Sequence, residues 1–174
     1  MKEEWIHAGY EMFAYKGKTG LKIEPLAKAV NKSKSSFYHH FADLDLFMDV
    51  LLQHHIQRSV ALARKESAAN NIHPELIRIL IEHKTDIFFN RQLRIHSNNS
   101  SYQEVLSRSN QIVGEAFIQV WMKDVNPALT KNQLEAVFSL ALDNFFLQIN
   151  ERDFHYDWLC GYFERLKQIV GTFA

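Results

Sequence analysis

The sequence predicts an all-α protein, and three observations carry that expectation. Apolar residues recur at three- and four-residue spacing almost throughout, as in Ile6, Gly9, Tyr10 and Phe13 and again in Ile112, Val113, Ala116, Phe117, Val120 and Trp121. Strand-like alternation is hard to find. The periodic runs are punctuated by "YKGKTG", "NKS", "NNIHP", "HSNNSS", "DVNPALT" and "NERDFH", which carry Gly, Pro, Asn or Ser turn chemistry. These breaks leave roughly eight or nine helices.

The composition is globular, with 47% apolar and 23% charged residues and only six Gly and three Pro among 174 residues. Twenty basic and twenty acidic side chains cancel, so the distribution of charge decides what its total does not. Cys160 is the single cysteine, which excludes an internal disulfide. The acidic start "MKEEWIHAGYEMF" lacks the basic-then-apolar order of a signal peptide, and no apolar run reaches the ~18–20 residues of a spanning helix. A soluble, cytoplasmic protein with no membrane partner is expected.

The first helices fall near 3–16, 23–30 and 34–41, and a much longer one runs from about 43 to 68; the change of length places a boundary between 1–43 and 44–174. Pro25 sits in the first turn of the second helix, where its missing N–H costs nothing. Asn31 tolerates the left-handed conformation of a tight turn. Helix, "NKS", helix therefore reads as a helix-turn-helix.

Charge gathers there. Residues 16–40 hold Lys16, Lys18, Lys22, Lys28, Lys32 and Lys34 against Glu24 alone, a local net of +5 in a neutral chain. A helix beginning at Ser33 or Lys34 points free N–H groups and the small side chains of Ser35 and Ser36 outward, which permits close approach to phosphates and base edges. Phe37 and Phe41, four apart, face the three-helix core and leave Tyr38, His39 and His40 around the remaining surface. Lys22, Lys32, Ser33, Lys34, Ser35, Ser36, Tyr38 and His39 are the DNA-contact candidates.

Residues 6–47 resemble the DNA-binding domain of the TetR family of bacterial transcriptional regulators. The match is carried by Ala8, Phe13, Gly17, Ile23, Leu26, Ala27, Ser33, Lys34, Ser36, Tyr38, His39 and Phe41, in register without insertion. The resemblance implies that Lys34, Ser35 and Ser36 open the recognition helix and that Tyr38 and His39 touch the backbone of operator DNA. It also implies a repressor, working as a homodimer released by a small-molecule effector, with residues 44–174 as a helical ligand-binding and dimerisation domain. Three departures stand out: Asn31 and Lys32 replace the usual Gly-Val of the turn, Leu21 or Lys22 replaces a capping Thr, and Leu44 replaces a lysine at the start of the fourth helix. The alternative they support is a sensor of the same fold whose DNA-binding head has decayed.

In the body, Leu134, Val137, Phe138, Leu140, Ala141, Leu142, Phe145, Phe146, Leu147 and Ile149 cover more of one helix than a single core stripe requires. The last helix repeats this with Trp158, Leu159, Tyr162, Phe163, Leu166, Ile169, Val170 and Phe173. The surplus predicts a two-fold interface that includes Phe138, Leu142, Phe145, Trp158, Tyr162 and Phe163. Phe88, Phe89, Tyr102, Phe117, Trp121 and Phe145 offer aromatic faces for an effector, and all but Phe89 are the ligand-site candidates; "IHSNNSSYQ" is expected as a mobile loop near its entrance. No cofactor or metal is expected, since His54 and His55 are adjacent and point apart. Nor is an enzyme: His83 with Asp86, and Asp153 with His155, lack a nucleophile or phosphate loop.

Overall fold

The computed structural model describes residues 2–124 and 129–172. Every regular element among the described residues is a helix, and none of these residues forms a strand. In order the helices are α1 (Lys2–Gly20), α2 (Ile23–Ala29), α3 (Lys34–His40), α4 (Leu44–Ala68), a π-helical turn (Ile72–Leu76) leading into α5 (Ile77–Glu82), α6 (Lys84–Ile95), α7 (Ser100–Asp124), α8 (Lys131–Gln148) and α9 (Tyr156–Thr172). The break expected at 124–130 falls mostly outside the described residues, as does Phe173. The segment expected as a mobile loop is a short turn, residues 96–99, between the end of α6 at Ile95 and the start of α7 at Ser100, and the Asn99 side chain accepts the Tyr102 N–H at 3.1 Å. Among the described residues no helix is long and apolar enough to cross a membrane.

The chain packs as two compact units, Met1–Val60 with Thr85–Asn110, and Ala61–Lys84 with Gln111–Ala174. In the first, α1 is interrupted at Gly17, whose φ of 65° and ψ of −171° are open to glycine and strained for other residues. Gly9 is required for a different reason. A Cβ there would lie 2.4 Å from Phe47 Cζ, so α1 and α4 touch through the bare glycine backbone. Around that contact Trp5, Phe13, Leu26, Phe37, Phe47, Leu51, Phe89 and Leu93 are fully buried.

A polar cluster is set inside this apolar shell. Arg58 of α4 donates from Nε to Asp86 Oδ1 at 3.0 Å and from Nη2 to Oδ2 at 2.9 Å, and Tyr10 of α1 donates to Asp86 Oδ1 at 2.9 Å. The Tyr10 hydroxyl has one proton, so the 2.7 Å contact with His55 Nδ1 must be a donation from the imidazole. Ser59 gives its proton to the His55 carbonyl at 2.8 Å, so its 2.8 Å contact with Ser109 of α7 is a donation from Ser109; Asn90 of α6 donates to the same Ser109 hydroxyl at 3.2 Å, and His55 Nε2 lies 3.3 Å from it. Burial, then the Asp86 charge, pushes the Tyr10 phenol well above its ordinary range. Burial lowers His55 to about 4.

In the second unit the rings of Trp121, Phe138, Phe117 and Phe163 form one cluster, with Trp121 and Phe138 centroids 5.0 Å apart. Phe145, Trp158 and Tyr162 extend it, with the Tyr162 ring 5.7 Å from Phe163, and the Tyr162 hydroxyl donates to the Ala141 carbonyl at 2.7 Å. Helix α8 starts with a capping box between Thr130 and Gln133.

Two stability outcomes are expected. Asp86→Asn strips the charge from a buried acceptor of three hydrogen bonds and should cost about 1–3 kcal/mol in urea unfolding. His55 is lowered in the folded chain from an ordinary 6.5 to about 4. The unfolded chain therefore takes the proton first as pH falls. Its stabilising contribution is complete above pH 6.5 and is lost towards pH 4, by roughly 3 kcal/mol. His55→Gln should flatten that part of the pH profile; an unchanged slope would place the titration elsewhere.

Candidate nucleic-acid interface

The turn between α2 and α3 is built as its residues dictate. Asn31 takes φ 52°, the Lys32 N–H reaches back to the Ala27 carbonyl at 2.9 Å, and the chain reverses within three residues. Ser33 is extended and caps α3 by accepting the Ser36 N–H at 3.2 Å. At the start of α2, Lys22 holds the capping position without a side-chain hydrogen bond, as the missing hydroxyl led us to expect.

Helix α3 splits into two faces. Phe37 is fully buried, with its ring 5.5 Å from Trp5 and 5.3 Å from Phe47, and Phe41 is buried beside it. On the outer face lie Lys34, Ser35, Tyr38 and His39, with Ser36 half-buried at its edge. Tyr38 is 56% exposed, a large ring in water, while its neighbour Phe37 is wholly enclosed. Lys22 is exposed, Lys32 is half-buried and Ser33 is exposed, so the eight DNA-contact candidates are all at least partly accessible around α2 and α3.

Two of the cations are held by local carboxylates. Lys34 Nζ donates to Glu24 Oε2 at 3.2 Å, and Lys32 Nζ lies 3.2 Å from Glu4 Oε2. The hydrogen bond and charge of Lys32 hold Glu4 below the usual carboxylate range. The first turn of α4 supplies no replacement cation. Leu44 is half-buried at its first position, Asp43 caps it by accepting the Leu46 N–H at 2.8 Å, and Asp45 and Asp49 are exposed beyond.

The other candidates divide between places. Phe88 and Tyr102 are buried in the first unit; Phe117, Trp121 and Phe145 belong to the second, where their rings are joined through Phe163 and Tyr162. Of the interface candidates, Phe138, Phe145, Tyr162 and Phe163 are buried within the second unit, and Leu142 and Trp158 are half-buried. The side chains left in water on α8 and α9 are instead Leu140, 76% exposed, Leu147, 82% exposed, and Ile169. Sequence reasoning took Leu140, Leu147 and Ile169 into its apolar stripes without picking them out. It also passed over the Tyr10, His55 and Asp86 cluster, and Glu66, although the buried stripe of α4, Leu52, His55, Ser59, Leu62 and Glu66, shows polar residues at core spacing.

No family model matches the sequence, and no curated protein matches it. Among solved structures the chain is similar to the multidrug-binding protein EbrR in its crystal structure complexed with imidazole, with a TM-score of 0.59 and 18% identity over 97% of this chain and 92% of that one.

The two faces of α3 should respond differently to substitution. Lys34→Ala and Tyr38→Phe should shift unfolding by less than about 0.5 kcal/mol, because an exposed ion pair and an exposed hydroxyl contribute little. Phe37→Ala should cost about 3–5 kcal/mol. Equal losses in urea denaturation would mean that the faces are wrongly assigned.

Proposed function

We propose that this chain, which has the TetR-family fold, is a transcriptional regulator and not an enzyme: a homodimer that binds palindromic operator DNA through α3 and is released by a small-molecule effector. The observation that carries the reading is the exposed face of α3, with Lys34, Ser35, Tyr38 and His39 projecting from a helix whose opposite face is locked by Phe37. Lysine and small hydroxyl residues at the start of such a helix suit phosphate and groove contact, and Tyr38 and His39 suit hydrogen bonding to phosphate. DNA docking exchanges the Glu24 partner of Lys34 for a phosphate; a solvated ion pair is weak enough for that exchange. The neighbour's solved complex with imidazole, and its description as multidrug-binding, support a small-molecule effector here. The dimer is formed by α8 and α9 through Leu140, Leu147 and Ile169, which one chain leaves in water.

A second reading, a sensor that keeps the fold and binds no operator, is favoured by the start of α4, where Leu44 stands among Asp43, Asp45 and Asp49. Selection from random duplex DNA separates the two: the regulator enriches a palindromic site, and the sensor enriches nothing. Leu44→Lys supplies the missing cation, so duplex affinity should rise for any sequence and the slope of log affinity against log salt should steepen by about 0.9. If the variant folds and both quantities stay at parent values, residue 44 does not face DNA. For the dimer, Leu140→Glu with Leu147→Glu should give folded monomer, whereas Phe138→Glu, in the core, should unfold the chain. A folded double variant of unchanged dimer mass would rule out this surface.

A further inference from the structure

Two imidazoles meet where α1 crosses α4. The helices touch through the bare backbone of Gly9, and with them that close His7 of α1, two residues earlier, reaches His54 of α4. The ring centroids are 5.8 Å apart and the planes lie at 84°. His54 is half-buried with the Tyr10 ring 5.1 Å from it, so its place is set, whereas His7 is exposed and has room to turn about its side-chain bonds. His55, the chain neighbour of His54, is spent on the buried contacts to Tyr10 and Ser109. Neither His7 nor His54 belongs to the outer face of α3.

An imidazole nitrogen binds a zinc-like ion at about 2.0–2.1 Å, which puts the ring centroid roughly 3.2 Å from the metal, so two rings on one tetrahedral ion stand about 5–6 Å apart. The pair already has that spacing. The charges that reach His54 are those of Glu3 and His7 on α1, Arg58 on α4 and Asp86 on α6. Glu3 is one helical turn before His7 on the same face of α1, and its carboxylate favours a cation there. Arg58 is already neutralised by its two hydrogen bonds to Asp86. Burial, then the charge of His7, lowers the His54 pKa below its ordinary value, so near neutral pH this ring is unprotonated and ready to ligate.

We propose that His7 and His54 together hold a divalent late transition-metal ion, of the zinc, nickel or copper class, which staples α1 to α4. These ions favour imidazole nitrogen, whereas magnesium and calcium require oxygen ligands that the pair does not offer. No three His, Cys, Asp or Glu side chains gather around one point among the described residues, so the protein supplies two nitrogens and water fills the other positions. The site is independent of DNA binding and of any organic effector.

The test uses the full chain, stripped of metal by a chelator, with Ni²⁺ as the probe, and reads calorimetry and thermal melting. The parent should bind about one equivalent of Ni²⁺ ahead of any weaker uptake, and its melting temperature should rise with Ni²⁺ concentration but not with Mg²⁺. His7→Ala and His54→Gln should each weaken the tight affinity at least about tenfold and abolish the rise. The double variant should lose no more than either single one, because a shared ion leaves with its first ligand. His7 is exposed, so His7→Ala should melt like the parent without metal even if His54→Gln is less stable. Cys160→Ser removes the other close pairing of metal-ligating side chains, Cys160 Sγ with His73 Nε2 at 2.8 Å, and should change nothing. No tight equivalent in the parent, parent-like affinity in His7→Ala, additive losses in the double variant, or loss of the tight equivalent in Cys160→Ser would each overturn the assignment.

Discussion

The Asp86 carboxylate is the constraint on which the first unit depends. It is buried, and it accepts from Tyr10 of α1 and twice from Arg58 of α4 while itself belonging to α6. Three helices are thereby held at one point, since Tyr10 and Asp86 would otherwise be left with unpaired polar atoms out of water, while Arg58, 39% exposed, closes the cluster from its rim. The consequence reaches the surface. With Tyr10 fixed, α1 presents Trp5 edge-on to Phe37, and Phe37 sets the rotation of α3. The exposure of Lys34 and Tyr38 thus traces back, through α1, to a carboxylate in the core.

Electrostatics at that surface is a balance of small terms. Six lysines in residues 16–40 favour a polyanion, yet Glu24 and Glu4 lie against Lys34 and Lys32, and Asp43 caps the helix beside Leu44, the position where the resemblance leads one to expect a lysine. Exposed pairs are weak, so a phosphate competes with them readily. The acidic start of α4 is different, because it offers a phosphate nothing in exchange. The proposed DNA contacts therefore concentrate on α2 and α3.

Much of the fold was legible because its signals are local. Asn31 at positive φ, Ser33 as a cap, the break at Gly17 and the inward Phe37 and Phe41 each follow from one residue's chemistry and the helical period. The lengths of α1 to α4 came within a few residues on the same grounds. What was not legible depends on who meets whom. The stripes of α8 and α9 are apolar on several sides, and nothing local distinguishes Phe138, which packs on Trp121, from Leu140, which faces water. Likewise His55 and Glu66 stand out only once their burial is known; in the sequence they look like ordinary polar residues of a long helix.

The claim that the outer face of α3 is where a duplex docks is tested most directly by amide hydrogen exchange of the full chain with and without a bound palindromic duplex. The account predicts slowed exchange confined to the turn and α3, residues 31–40, and to the start of α2, with the α4–α6 core around Asp86 unchanged. Protection centred outside these segments, or uniform protection across the first unit, would contradict it.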